Sequence, residues 1–167
     1  MENSNDATPN ATGSISEAAF IDAPRDPRIK ALYQYWDGLR GGRLMPARAD
    51  LDPTEIPALL PYIIMYNVTA SGGYTIRLVG EEVVRFVGRN ATGGSAGTIM
   101  PPRSAAMMIK ILDAVTHERA PKFRAGQAHW HPDKAYSAFE ACFLPLSADG
   151  ETVNIVFCGV SFPRVSG

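Results

Sequence analysis

The order of the β-rich runs constrains this chain more than any other feature: two precede a helical stretch and three follow it. Tyr62 to Val68 and Tyr74 to Val79 are rich in β-branched and aromatic residues, and Thr69-Ala-Ser-Gly-Gly73 between them has hairpin composition. Lys122 to Trp130 is bounded by Pro121 and Pro132. Tyr136 to Leu146 ends at Ser147-Ala-Asp-Gly150, and Thr152 to Phe162 follows. Hairpin-linked strands on both sides of a helical segment imply an antiparallel α+β sheet, because a parallel sheet needs strands and helices to alternate.

The helices have their own punctuation. Asp26 is placed to cap, Pro27 suits the first helical position, and Ile29, Leu32, Tyr33, Trp36 and Leu39 recur at three- and four-residue steps until Gly41-Gly42 stops them. Asp52-Pro53-Thr54-Glu55 starts a second helix, which Pro57 and Pro61 confine to a turn or two. Glu81 to Val87 forms a short helix ended by Gly88, and Arg89 to Gly97 is a loop. Pro101-Pro102 opens a longer helix through about His117, with Met107, Met108, Ile111, Leu112 and Val115 as its apolar stripe. Residues 1–25 are small and polar, which predicts a flexible tail before one domain over 26–165.

A formal charge of -1 leaves no basic footprint for nucleic acid. No run approaches the roughly 20 apolar residues of a membrane span, and the N-terminus lacks the order of a signal peptide. The two cysteines, Cys142 and Cys158, are too few for a disulfide scaffold, which points to a reducing cytoplasm. If Leu146 pairs with Glu151, Cys142 faces Ile155 and Cys158 falls on the other side of the sheet; a one-residue slip still leaves the pair about 7 Å apart diagonally. No disulfide is expected.

Several spaced motifs occur in one order: Tyr35-Trp-Asp-Gly-Leu-Arg-Gly41, Pro46-Ala-Arg48, Asp50-Leu-Asp52-Pro53, Leu59-Leu-Pro61, Tyr74-Thr-Ile-Arg-Leu-Val-Gly80, and Glu140 running into Leu144-Pro-Leu146. From Ile29 to Phe162 this resembles a bacterial family of short, single-domain PAS-like proteins. The resemblance implies a five-stranded antiparallel PAS sheet with helices on one face, an extra N-terminal helix, and a regulatory or sensory role. The chain departs from the pattern at Glu81-Glu82, where a small or hydroxyl residue is expected next to Gly80.

Few residues suggest chemistry. His129 and His131 share a strand face, yet an H-x-H interrupted by Pro132, with Asp133 beyond, reads as solvated strand-end histidines ahead of a metal site. No G-x-S-x-G elbow marks a hydrolase, and the glycines of 88–97 lack a phosphate loop's lysine. Glu140 stands out because it shares its strand face with Tyr136, Ala138, Cys142, Leu144 and Leu146. A carboxylate there requires a partner or solvent. Arg77 is one candidate partner, and a ligand is another. Arg48 reads as a tie to the backbone or to Asp50 or Asp52.

The expected ligand site lies between the long helix and the sheet, with Phe86, Met108, Ile111, Leu112 and Tyr136 as walls, Met107 beside them and Glu140 as the polar contact. No cofactor is implied. Ile29, Leu32, Tyr33 and Trp36 are expected either to cover the sheet's outer face or to form a homodimer interface. The competing class is a small cone-like α+β enzyme with Glu140 as base and a histidine as partner. The helical stretch between the second and third strands favours a non-catalytic sensor with a signalling partner.

Overall fold

The computed structural model describes residues 19–128, 130–133, 136 and 138–163. They form an antiparallel sheet of six strands in the order β1-β4-β5-β6-β2-β3: β1 (Ala19–Ile21), β2 (Ile63–Val68), β3 (Tyr74–Val79), β4 (Lys122–Gln127), β5 (Ala138–Ser147) and β6 (Val153–Ser161). Three α-helices accompany them: α1 (Pro27–Arg40), α2 (Glu81–Val87) and α3 (Pro102–Glu118). Single 3₁₀ turns at Arg48–Asp50, Pro53–Glu55 and Leu60–Tyr62 carry the chain from α1 to β2.

Five strands and the long helix fall where the sequence puts them; β1 is the addition. It lies inside the stretch expected to be tail and pairs with β4, Phe20 opposite Arg124. Three residues are too few for a periodic pattern, and only the open edge of β4 supplies their partners. The strand expected over Lys122 to Trp130 stops at Gln127, and β5 begins at Ala138, so Tyr136 precedes it. Leu146 pairs with Ile155, not Glu151. Because the offset is even, the face assignment survives: Cys142 opposes Gly159, Phe143 opposes Cys158, and both thiols are free and buried.

The sheet is covered on both sides. Glu140, Cys142 and Leu144 on β5 share one face with Ser161, Gly159 and Phe157 on β6, and α1 lies across it. Ile29, Leu32 and Trp36 are essentially inaccessible, so these expected interface residues are used within their own chain. Tyr33 is half-buried and meets Phe123 edge-on. The Trp36 indole N–H donates to the Pro145 carbonyl at 2.9 Å. Gly159 permits this approach, since a Cβ there would stand 2.2 Å from Leu32 Cδ1.

Glu140 sets the start of α1. Its carboxylate accepts the backbone N–H of Arg25 (3.0 Å) and of Asp26 (2.7 Å), while the Asp26 side chain caps the helix at the Arg28 and Ile29 amides. Ser161 Oγ donates to Asp26 Oδ2 at 3.0 Å. Arg77, the candidate partner from sequence, sits on β3 and donates to Asn67 instead.

Glu140→Gln keeps the shape and loses the charge that strengthens two backbone hydrogen bonds. It should lower unfolding stability by about 2 kcal/mol in urea titration. Gly80→Ala should cost about 2 kcal/mol or more, because its Cβ would lie 2.4 Å from the Leu60 and Pro61 carbonyl oxygens, which are backbone and cannot rotate away.

Candidate functional site

The opposite face carries the helices α2 and α3, and the space between them and the sheet is not filled. A cavity of about 710 Å³ remains, within the range of small-molecule sites. Its floor is the alternate set of sheet residues: Phe139, Ala141 and Phe143 on β5, Cys158 and Val160 on β6, and Ile64 and Tyr66 on β2. Its roof is Ser104, Met107 and Met108 on α3 with Val83, Phe86 and Val87 on α2. Phe20 of β1 stands at one side, largely exposed.

One end is walled by aromatic rings. Phe86 meets Phe162 at 4.7 Å between centroids, Trp130 at 5.3 Å and His131 in a stacked arrangement at 4.9 Å. Tyr136 stands edge-on to Phe86 at 5.6 Å and to Phe162 at 5.0 Å. The His131 ring is fixed through both nitrogens: Nδ1 accepts from the Asp133 amide at 3.0 Å, so Nε2 carries the hydrogen donated to the Phe86 carbonyl at 2.7 Å. Those bonds lock α2 to the β4–β5 connection. His129, the other half of the H-x-H, lies outside the described residues.

The polar group in the floor is Arg124 of β4, which is 8% exposed. Burial lowers its pKa from the ordinary value, the direction required when a cation leaves water. Gln127 and Arg103 add further donors to the walls. The thiol of Cys158 faces the same space, and burial raises its pKa well above the ordinary value. It is therefore held as a neutral, unreactive thiol.

The expected site residues divide. Phe86 and Met108 line the cavity, with Met107 beside them, and Tyr136 backs its aromatic wall. Ile111 and Leu112 are buried in the packed part of α3, outside the cavity walls. Glu140 is on the other face of the sheet. The parity that groups it with Cys142 and Leu144 is right, but that face belongs to α1. Arg124, Phe139, Trp130 and Phe162 were missed. The alternation of Phe123 with Arg124 looks like a strand with one wet face, whereas here both faces are covered.

A sequence model of the PAS domain family matches residues 25–160. The chain belongs to the PAS domain family. Its fold is similar to that of the PAS domain from Bordetella pertussis BvgS, at 14% identity over 68% of this chain and 84% of that one, with a TM-score of 0.54. It is also similar to a sensory box sensor histidine kinase from Vibrio cholerae, at 18% identity over 68% of this chain and 90% of that one, with a TM-score of 0.52. No curated protein matches the chain. At such identities the likeness is one of fold, and what this PAS domain does must be argued from its own cavity.

The roof of that cavity is pinned at the far end of α3. Tyr74 of β3 donates its hydroxyl to Asp113 at 2.5 Å. Burial, reinforced by that acceptor, raises the Tyr74 pKa from 10.0 to about 12. A phenol whose pKa rises on folding stabilises the native state fully below pH 10, and the contribution is lost as pH climbs towards 12. Tyr74→Phe should therefore be less stable than the wild type at neutral pH, and the gap should narrow between pH 10 and 12. Urea titrations at stepped pH measure this; the other buried thiols and phenols, common to both proteins, cancel in the difference.

Proposed function

We infer that this PAS domain is a non-catalytic sensory or regulatory module of bacterial signalling that binds a small molecule between α3 and the sheet. One observation carries the reading: a cavity of about 710 Å³, apolar on most sides, with the buried guanidinium of Arg124 in its floor. The aromatic end wall and Arg124 give a ligand both a flat apolar surface and an orienting donor.

The enzyme reading required Glu140 beside a histidine. The Glu140 carboxylate is engaged by two backbone amides on the α1 face, while His131 sits beside Phe86 on the other. A homodimer through Ile29, Leu32 and Trp36 likewise draws no support from this fold, which buries all three in one chain. The two buried free thiols suit a reducing cytoplasm, and no helix among the described residues is long and apolar enough to cross a membrane.

Ser104→Trp fills the cavity from its roof. Native mass spectrometry of protein purified from its own host should show an adduct on the wild type that this variant lacks, with unchanged far-UV circular dichroism. An adduct-free wild type whose partner binding is indifferent to Ser104→Trp would leave an interaction module instead.

A further inference from the structure

Arg48 belongs to a sequence motif that the cavity does not use; of its expected ties the one to the backbone is made, at the Leu51 carbonyl, and neither Asp50 nor Asp52 is its partner. Asp50 accepts from Arg43 at 2.9 Å and from the Ala47 amide at 2.8 Å. Asp52 accepts from the Thr54 amide and hydroxyl. Among the described residues the Arg48 side chain makes one hydrogen bond, Nη1 to the Leu51 carbonyl at 3.4 Å, at the outer limit of such a bond. Its Nε is the one buried side-chain nitrogen or oxygen among the described residues with no partner. A buried guanidinium N–H without an acceptor costs free energy that a folded protein ordinarily recovers from a partner or a ligand.

The same side chain lines a groove of about 430 Å³ on the α1 side of the sheet. Ile56, Leu60, Met65, Leu78 and Phe157 give it apolar walls. Glu81, the acid at its rim, is paired with Arg85 at 3.2 Å. The groove thus combines an apolar body with one cation that lacks a counter-ion. We propose that it is a second binding site, distinct from the cavity under α3, for a small carboxylic acid with an apolar tail. The carboxylate takes the donors of Arg48 in the paired geometry a guanidinium offers, and the tail lies along Leu60, Leu78 and Phe157. Complementary charge and the unspent donors select an acid over an alcohol of equal length.

Octanoate and octanol serve as matched probes in an amide-resolved NMR titration. Octanoate should give saturable shifts at Leu51, Leu60 and Gly80, and octanol should bind about tenfold more weakly or worse. Arg48→Met should weaken octanoate by about tenfold, and Ser104→Trp should leave it unchanged because that substitution blocks only the other cavity. If Arg48→Met does not fold, Leu78→Glu at the exposed rim should abolish binding by repelling the carboxylate. Equal binding of acid and alcohol, retention in either groove variant, or loss in Ser104→Trp would overturn the proposal. So would the absence of saturable shifts, the result expected if an ordered water alone satisfies Arg48.

Discussion

The Glu140 carboxylate holds the backbone amides of Arg25 and Asp26, and through them it fixes where the first helix starts on the sheet. A carboxylate at 5% exposure is tolerable only because charge-assisted donors replace its lost water. Once that corner is fixed, Asp26 caps α1, Ile29 and Leu32 fall against Gly159, and Trp36 reaches the Pro145 carbonyl. Most of the outer face of the sheet is then covered within one chain, apart from the groove beside Arg48. The inner face is thereby freed from having to serve as the main core, and it can hold a cavity beneath α3.

That division explains the composition of β5. A strand with one wet face alternates apolar and polar residues, whereas Glu140 to Ser147 is buried throughout. Its even residues pack beneath α1, and Phe139, Ala141 and Phe143 line the cavity. The same alternation runs along β2, where Ile63 and Met65 line the Arg48 groove and Ile64 and Tyr66 line the cavity. Neighbouring residues of a single strand therefore border two spaces on opposite sides of the sheet.

Much of the fold was legible because it is written in local signals. Asp26-Pro27 and Asp52-Pro53 cap where expected, the Thr69 to Gly73 hairpin closes, and the α3 stripe buries Ile111, Leu112 and Val115. The site was legible only in part, since a cavity is a distance between elements and no residue pattern encodes distance. Met107 and Met108 carry the same signal whether α3 packs closely or stands away. Parity grouped Glu140 correctly with Cys142 and Leu144, but parity alone does not say which helix covers that face. Arg124 carries no signal of its own in the sequence, because an arginine beside a phenylalanine in a strand ordinarily marks the solvent side, whereas here both faces of the sheet are covered.

The short strand β1 ties these features together. Phe20 borders the cavity and pairs with Arg124 in the floor, and only the segment 22–24 separates Ile21 from the amide of Arg25 that Glu140 holds. A three-residue edge strand makes few hydrogen bonds and belongs to the part of a fold that opens most readily. On the sensory reading, a ligand that fills the cavity acts on β1 through Phe20 and Arg124, and so short a connection transmits a displacement rather than absorbing it. Phe20 at the cavity and Glu140 at the helix start are thus linked through residues 21–25 of one edge segment, which places the cavity's border and the anchor of α1 on the same short stretch of chain.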